Sequence, residues 1–361
     1  MKNYRFDSLI FILMMALVAS TLGSCSQTKT KFFSADHPLF QYCGRVDFSN
    51  PELPRFWAPG VYIQARFEGD SCLVELNDEV LYGSNHNYVS LQVDDQPVRR
   101  IKLTGKNNVI KMDAVGEGPH RLIICKSTEA GIGFLEFAGL HCEKLLEPAP
   151  VPERKIEFYG NSITCGTGSD ISEIACGEGE WHDQHNAYMS YGPVTARMLD
   201  AQWMLSSVSG IGLMHSCCDM DIVMPDVFDK LNMRENQSQW VFSRYQPDVV
   251  TVALGQNDGI QDSTAFCSRY VEFVQTLRTH YPDAEIVLLT SPMGNEELTA
   301  VLKNYLTSVR NSVHARGDSN VHTFFFSGRY NNGCDNHPDL AQHQEIAAEL
   351  SEFLSNLMGW E

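Results

Sequence analysis

The sequence predicts a two-domain protein, in which an all-β sandwich or jelly roll over residues 26–146 is followed by an α/β domain over residues 155–361. Three observations support this prediction. Short alternating segments fill the first half, strand-like and helix-like segments alternate in the second half, and the Pro-rich stretch 147–154 separates the two. A chain of 361 residues is long enough for two ordinary domains.

Residues 1–25 are predicted to be a lipoprotein signal peptide. Lys2 and Arg5 precede an apolar stretch over residues 9–22, and the segment Leu22-Gly-Ser-Cys25 resembles a lipobox, in which Cys25 is lipidated. A secretory signal cleaved just before this cysteine and a retained anchor are the alternatives. All three place the folded part outside the cytosol. We expect an exported lipoprotein of the bacterial cell envelope, facing the periplasm or held at the outer membrane.

The composition limits the partners. A net charge of −18 and a pI of about 5.0 argue against nucleic-acid binding, which normally requires a basic surface. No apolar run of about 18 residues occurs beyond the N-terminus, so we expect contact with a membrane only through the lipid anchor. A neutral glycan would not be repelled by the acidic surface, whereas a polyanion would be.

The cysteines leave two possibilities open. Ten of the 11 remain when Cys25 is set aside, and an exported compartment permits disulfides. Their connectivity cannot be read from the sequence, and free buried thiols are at least as plausible for most of them. No CxxC pair occurs, which argues against a zinc ribbon.

The first half reads as β structure. Residues 62–68 and 88–94 alternate between apolar and polar side chains, and further short strands are predicted at 72–76, 121–125 and 133–138. Clusters of Gly, Asn, Asp and Pro separate these segments, and no long helix is predicted among them. Many short strands with turns between them indicate a sandwich or jelly roll.

After the Pro-rich stretch, which we interpret as a stiff linker, the pattern changes. Five apolar, strand-like runs are predicted over residues 156–159, 203–208, 249–254, 286–290 and 321–326. Helical spacing of apolar residues is found over 266–281, 298–309 and 340–357. Continuous apolar strands alternating with helices predict a five-stranded parallel sheet covered on both faces, whose active site lies at the carboxyl ends of the strands.

Four residues follow predicted strands at this edge. Ser162 comes after the first strand, Gly210 after the second, Asn257 after the third, and His337 lies in the loop before the last helix. Each has an ordinary explanation when taken alone: a helix cap, a βα turn, an Asx turn and a solvated loop histidine. Together they provide a nucleophile, two oxyanion donors and a general base, which predicts a serine hydrolase.

The segments that carry these residues resemble blocks I, II, III and V of the SGNH (GDSL-like) hydrolase superfamily. The resemblance implies that Ser162 is the nucleophile and His337 the general base. It also implies an oxyanion hole formed by the Ser162 N–H, the Gly210 N–H and the Asn257 amide. For block II, the resemblance favours Gly210 over Gly212.

A narrower resemblance covers nearly the whole mature chain. The segments Arg66-Phe-Glu-Gly69, Lys126-Ser-Thr-Glu-Ala130, Asn186-Ala-Tyr-Met-Ser-Tyr191 and Asp335-Asn-His-Pro338 are similar to carbohydrate esterase family 2, with an N-terminal jelly roll and a C-terminal SGNH domain. This resemblance implies hydrolysis of O-acetyl groups on plant polysaccharides or oligosaccharides of the acetylxylan or acetyl-glucomannan type, often at the 6-O position of hexoses.

One position departs from the superfamily pattern. SGNH enzymes usually carry Asp three residues before the histidine, and here that position is Cys334, with Asp335 one residue later. Asp335 is therefore a candidate to orient the imidazole of His337. The alternative is a main-chain carbonyl in that role, which gives a Ser–His dyad of the kind the resemblance implies for some family 2 esterases.

The predicted reaction is acyl transfer through Ser162 and needs no metal or organic cofactor. His182 and His185 suggest a metal pair, but no further ligands at suitable spacing support one. Two other functions remain open. One is an SGNH lipase-like or thioesterase-like acyl hydrolase with a non-sugar substrate, and the other is a catalytically inactive glycan-binding protein.

Overall fold

The computed structural model of the protein describes residues 30–360. The predicted signal peptide and Cys25 lie outside these residues, so their assignment stays a prediction. Residues 30–146 form two antiparallel sheets that pack against each other. The strands are β1 (Lys31–Ser34), β2 (Gln41–Cys43), β3 (Arg55–Phe56), β4 (Tyr62–Glu68), β5 (Ser71–Asp78), β6 (Tyr88–Val93), β7 (Arg99–Lys102), β8 (Asn107–Asp113), β9 (His120–Lys126), β10 (Leu135–Cys142) and β11 (Lys144–Leu146).

The two sheets have the orders β1-β10-β5-β8 and β11-β4-β9-β6-β7, with β3 added on β10 and β2 added on β4. Side chains alternate between buried and partly exposed along β5, as a strand with one face on the core requires. The buried faces meet in one core that includes Phe67, Leu76 and Phe137. The predicted all-β sandwich is therefore confirmed.

The second half contains a five-stranded parallel sheet and a short antiparallel hairpin. Its strands are β12 (Arg154–Gly160), β13 (Ala201–Ser207), β14 (Lys230–Asn232), β15 (Gln237–Gln239), β16 (Val249–Val252), β17 (Glu285–Leu289) and β18 (Val321–Phe324). Its helices are α1 (Ser162–Cys165), α2 (Tyr191–Met198), α3 (Met224–Val227), α4 (Ser263–His280), α5 (Glu296–Ala315) and α6 (Leu340–Met358). Short 3₁₀ turns occur at Ala130–Ile132, Ala187–Met189, Phe242–Arg244 and Cys334–Asn336.

The parallel sheet has the order β13-β12-β16-β17-β18, and apolar clusters cover both of its faces. This order reverses direction beside β12, which is the point where doubly wound α/β folds bind their ligands. The three long helices each begin at a capping side chain: Asp262, Asn295 and Asp339 accept a hydrogen bond from a backbone N–H of the first turn. The predicted five-stranded parallel sheet is confirmed. Within residues 30–360, no helix has the length and apolar character needed to span a bilayer.

The ends of the elements differ slightly from the prediction. Arg154, expected as the last residue of the linker, is the first residue of β12, because it pairs with Ala201 in the parallel ladder. The strand expected from residue 133 begins at Leu135, since Gly133 takes a positive φ of 113° at the end of a 3₁₀ turn. Sheet pairing thus determines the first of these ends, and the turn at Gly133 determines the second.

A buried ion pair joins the two halves of the chain. Arg45 comes from the β sandwich, and its guanidinium lies 3.2 Å from the carboxylate of Glu157 on β12, with both side chains fully buried. Arg45 also donates hydrogen bonds to the Lys230 carbonyl at 2.6 Å and to the Ser206 hydroxyl at 3.1 Å. Because a buried charge is costly without partners, this network fixes the sandwich against the strand that precedes Ser162.

We expect Arg45→Ala to destabilise the protein by about 3–5 kcal/mol, because it leaves the Glu157 carboxylate buried without its partner. Urea unfolding followed by circular dichroism measures the change. Lys144→Ala is the matched control at the exposed pair with Glu68, where both side chains are largely in solvent and we expect less than about 1 kcal/mol. A similar small effect for both variants would contradict the role given to Arg45.

Candidate active site

The turn after β12 presents Ser162 at the edge of the sheet. Asn161 caps helix α1, since its side chain accepts a hydrogen bond from the Ile163 N–H at 3.2 Å. The hydroxyl of Ser162 is therefore not needed as a cap, which was the ordinary explanation for a serine at this position. Instead, Ser162 Oγ lies 2.8 Å from His337 Nε2, at the floor of a cavity of about 600 Å³. This contact places a hydroxyl and an imidazole in the geometry of a nucleophile and its base.

His337 is held at its other nitrogen by the main chain. Nδ1 lies 3.0 Å from the carbonyl oxygen of Cys334, which can only accept, so Nδ1 carries the proton and Nε2 is free to accept the Ser162 proton. Burial lowers the pKa of His337, while the Cys334 carbonyl and the nearby Asp335 carboxylate act in the opposite direction. The imidazole is consequently neutral near pH 7, as a general base must be.

The geometry distinguishes the two alternatives for the group that orients His337, Asp335 and a main-chain carbonyl. Asp335 and Asn336 both take left-handed conformations, with φ of 52° and 59°, so the chain folds back and turns the Cys334 carbonyl toward the imidazole. Asp and Asn tolerate this region better than other side chains. Asp335 is exposed, and in the described part of the chain its carboxylate forms no hydrogen bond with His337. The structure thus favours the Ser–His dyad over a triad.

Three donors face the same cavity. The N–H groups of Ser162 and Gly210 donate to no protein acceptor among residues 30–360, and Asn257 uses one amide hydrogen on the Ile211 carbonyl at 2.8 Å and keeps the other. Gly212, the alternative to Gly210, already donates to the Ser216 hydroxyl at 3.1 Å. The predicted oxyanion donors are therefore brought together around Ser162.

Position 210 can hold only glycine without strain. Its φ is 85°, and a Cβ at this position would lie 2.8 Å from Cys217 Sγ and 2.9 Å from Met220 Cε. Cys217 and Met220 also line the cavity beside Ser162. They therefore restrict the space next to the oxyanion donors, where an acyl group attached to Ser162 would lie.

Asp258 is a site residue that the sequence did not reveal. Its buried carboxylate accepts hydrogen bonds from the backbone N–H groups of Leu213, Met214 and His215, at 2.6 to 3.0 Å. These bonds tie the loop that follows Gly210 to the loop that contains Asn257. An acidic residue directly after the candidate asparagine was the available signal, but its partners are distant in sequence.

The β sandwich supplies part of the cavity wall. Glu129 from the first domain lines the cavity, and burial raises the pKa of its carboxyl group against the opposing charge of Lys126. Trp181 and Tyr82 lie at the rim with 52% and 85% of their surface exposed. The cavity is thus formed by both halves of the chain and carries exposed aromatic rings at its entrance.

His182 and His185 lie behind Trp181, and their ring centroids are 6.4 Å apart. Both rings are buried, and none of their nitrogens is hydrogen-bonded within residues 30–360. Burial lowers the pKa of both histidines. No group of three potential metal ligands occurs in this described part of the chain.

Two sequence families match the two halves. A family described as "Carbohydrate esterase 2 N-terminal" matches residues 42–152, and the "GDSL-like Lipase/Acylhydrolase family" matches residues 158–346. These ranges correspond to the β sandwich and to the α/β domain that contains Ser162, Gly210, Asn257 and His337.

Similar proteins match nearly the whole chain. It is 32% identical to "Cellulase/esterase CelE" of Acetivibrio thermocellus over 90% of its residues, although it spans only 40% of that protein's length. It is 30% identical to an "Acetylxylan esterase / glucomannan deacetylase" of Cellvibrio japonicus, with 98% of this chain and 99% of that protein covered. A family two carbohydrate esterase from Clostridium thermocellum, solved in complex with cellohexaose, superimposes with a TM-score of 0.81 at 30% identity, covering 89% of this chain and all of the other (100%).

Acidification is expected to inactivate the site at a pH below the ordinary pKa of histidine, about 6.5, since burial lowers the pKa of His337. Above its pKa the imidazole accepts the Ser162 proton, and below it the protonated ring cannot. The rate of covalent modification of Ser162 by a fluorophosphonate, followed by mass spectrometry between pH 4 and pH 9, measures this dependence. A midpoint at or above pH 6.5 would contradict the assignment.

In Asp335→Asn, the fluorophosphonate should modify Ser162 at a rate within about threefold of that in the unchanged protein. The reason is that the Cys334 carbonyl orients His337 and that asparagine tolerates the left-handed conformation. The midpoint of the pH profile should move to slightly lower pH, since the Asp335 charge raises the pKa of His337. His337→Ala is the reference for loss of the base, with a decrease of at least about 100-fold. A comparable decrease of this rate in Asp335→Asn would show that Asp335 is the third member of a catalytic triad.

Proposed function

This chain belongs to carbohydrate esterase family 2, and from this membership we propose that it removes O-acetyl groups from polysaccharides or oligosaccharides of the acetylxylan or acetyl-glucomannan type. The second half matches the GDSL-like Lipase/Acylhydrolase family and the similar proteins are named as esterases, so the chain is a carboxylic ester hydrolase. The observation that carries the proposal is the 2.8 Å contact between Ser162 Oγ and His337 Nε2, surrounded by three unsatisfied oxyanion donors.

In the proposed reaction, His337 Nε2 takes the Ser162 proton as Oγ attacks the acetyl carbonyl carbon. The oxygen that becomes negative is stabilised by the N–H groups of Ser162 and Gly210 and by the Asn257 amide. Loss of one such donor costs about 3–4 kcal/mol of barrier height. The imidazolium then returns its proton to the sugar oxygen, which leaves, and the acetyl group remains on Ser162.

Hydrolysis of this acetyl-enzyme uses the same groups in the reverse order. A water molecule gives a proton to His337 and attacks the acetyl carbon, and Ser162 regains its proton as acetate leaves. Every step uses residues of this chain, and none requires a metal or an organic cofactor.

The shape of the cavity supports a sugar ester. Exposed aromatic rings such as Trp181 and Tyr82 offer flat apolar faces against which the C–H faces of pyranose rings can pack. Cys217 and Met220 line the cavity beside Gly210 and Ser162, an arrangement that suits a short acyl group better than a long one. The acidic chain, with its net charge of −18, also suits a neutral glycan better than a polyanionic one.

Within this function we propose a preference for acetyl groups at the 6-O position. Ser162 lies at the cavity floor with 9% of its surface exposed, whereas the aromatic residues lie at the rim. An ester on the exocyclic carbon extends away from its ring by one additional bond. Such an acetyl group can reach Ser162 while the sugar ring remains against the rim.

We also propose export, with lipidation at Cys25. The described part of the chain contains two disulfides, Cys176–Cys334 and Cys217–Cys218, which suit an oxidising compartment. Metabolic labelling with a radioactive fatty acid tests the anchor, and incorporation that persists in Cys25→Ala would exclude it.

The purified chain should release acetate from acetylated xylan, from acetylated glucomannan and from an aryl acetate, and Ser162→Ala should reduce these rates by more than about 10⁴-fold because the nucleophile is lost. Ser351→Ala is a matched control at a partly exposed position on α6 that does not line the cavity, and it should keep full activity. Retained activity in Ser162→Ala would overturn the assignment.

A panel of mono-acetylated hexoses and xyloses, with the product position read by NMR, resolves the remaining alternatives. Preferred release from the 6-O position supports the proposed specificity. Faster turnover of long-chain acyl esters or thioesters would identify a lipase-like or thioesterase-like enzyme instead, and glycan binding without any hydrolysis would identify an inactive binding protein.

A further inference from the structure

Cys334 attaches the loop that carries His337 to the loop that follows Ser162. Its N–H donates to the Gly168 carbonyl at 2.8 Å, and its side chain forms a disulfide with Cys176, 158 residues earlier in the chain. Its carbonyl accepts from His337 Nδ1 at 3.0 Å. The same carbonyl also accepts a hydrogen bond from the His337 backbone N–H at 3.0 Å. Every polar group of Cys334 is therefore engaged, and two of its four connections lead to the segment between α1 and α2.

The approach of the two loops is close. A Cβ at Gly168 would lie 2.8 Å from the Cys334 carbonyl oxygen, so only glycine allows the segment to pass this near. After Cys334, the left-handed conformations of Asp335 and Asn336 return the chain to His337. These conformations are sparsely populated for residues with side chains, and they persist only where surrounding contacts hold the chain at both ends.

We propose that the Cys176–Cys334 disulfide is a positioning element for catalysis: it fixes the carbonyl that orients His337, in place of the carboxylate that SGNH enzymes usually carry at this sequence position. The inference rests on the proposed function, in which His337 is the base. Cys176 and Cys334 act through His337 and do not contact the acyl group.

The proposal gives catalysis a dependence on redox state. Cys176 lies on an exposed loop, so a dithiol reductant can reach the S–S bond. The reductant supplies two electrons and two protons, is itself oxidised to a cyclic disulfide, and leaves two protein thiols. Without the covalent link, the Cys334 carbonyl is held toward His337 only by the hydrogen bonds of the 3₁₀ turn and by the bond from the Cys334 N–H to Gly168.

The test compares the unchanged full chain with Cys176→Ser, and uses Cys267→Ser as the matched control. Cys267 is a half-buried free cysteine on α4 that takes no part in the site. With an aryl acetate, we expect kcat of Cys176→Ser to fall at least about tenfold while KM stays within about twofold, because the base is misplaced and the cavity is retained. Cys267→Ser should match the unchanged chain.

The pH profile separates positioning from general destabilisation. The Cys334 carbonyl raises the pKa of His337, so its loss should move the acid limb of kcat/KM to lower pH. Thermal unfolding must show that the variant is folded at the assay temperature. If it is not, the unchanged chain is reduced, and mass spectrometry of an alkylated sample identifies which cysteines are free. The reduced chain that was not alkylated should give the same shift and reverse on reoxidation.

An NMR titration of His337, assigned through His337→Asn, gives a measurement that needs no turnover. A lower pKa of His337 in Cys176→Ser supports the positioning role of the disulfide. If the unchanged chain hydrolyses no acetyl ester, that result overturns the proposed function but leaves this conclusion in place. An unchanged pKa of His337 in folded Cys176→Ser overturns the proposal, whether kcat falls or not.

Discussion

The parallel pairing of β12 with β13 on one side and with β16 on the other is the constraint on which the site depends. In this register Gly160 pairs with Ser207 and Tyr159 pairs with Val252, so the three strands end at the same level of the sheet. Ser162, Gly210 and Asn257 follow these ends within a few residues. The backbone hydrogen bonds between the strands thereby place the nucleophile between two oxyanion donors, independently of specific side-chain contacts.

The general base is positioned in a different way. His337 follows β18, which lies at the far edge of the sheet from β13, so the loop over residues 325–339 must return across the carboxyl edge. Contacts along the loop determine its path, including the hydrogen bond from the Tyr330 N–H to the Pro292 carbonyl and the bond from Cys334 to Gly168. Orientation of the imidazole is thus a property of the packed loop, and a carbonyl in that loop takes the place of an acidic side chain.

The β sandwich contributes to the site from two directions. Against the parallel sheet, Arg45 pairs with Glu157 on β12, and Trp203 on β13 stacks on Tyr62 with ring centroids 4.0 Å apart. At the cavity, Glu129 forms part of the wall. The same domain therefore braces the strands that end at Ser162 and Gly210, and shapes the space in which a substrate would bind.

The sequence by itself determined the fold class and the identity of the residues at the carboxyl edge, because both depend on local periodicity and on which residue follows each strand. It offered both answers for His337 and could not choose between them. The tertiary structure favoured the Cys334 carbonyl over Asp335 as the group that orients His337. It showed that the Gly212 N–H is hydrogen-bonded whereas the Gly210 N–H is free among the described residues. It also revealed the contacts of Asp258 and the Cys176–Cys334 disulfide. Each of these outcomes depends on which atoms meet across a loop or a domain boundary. Packing among residues that are distant in sequence determines these contacts, and no local sequence pattern contains that information.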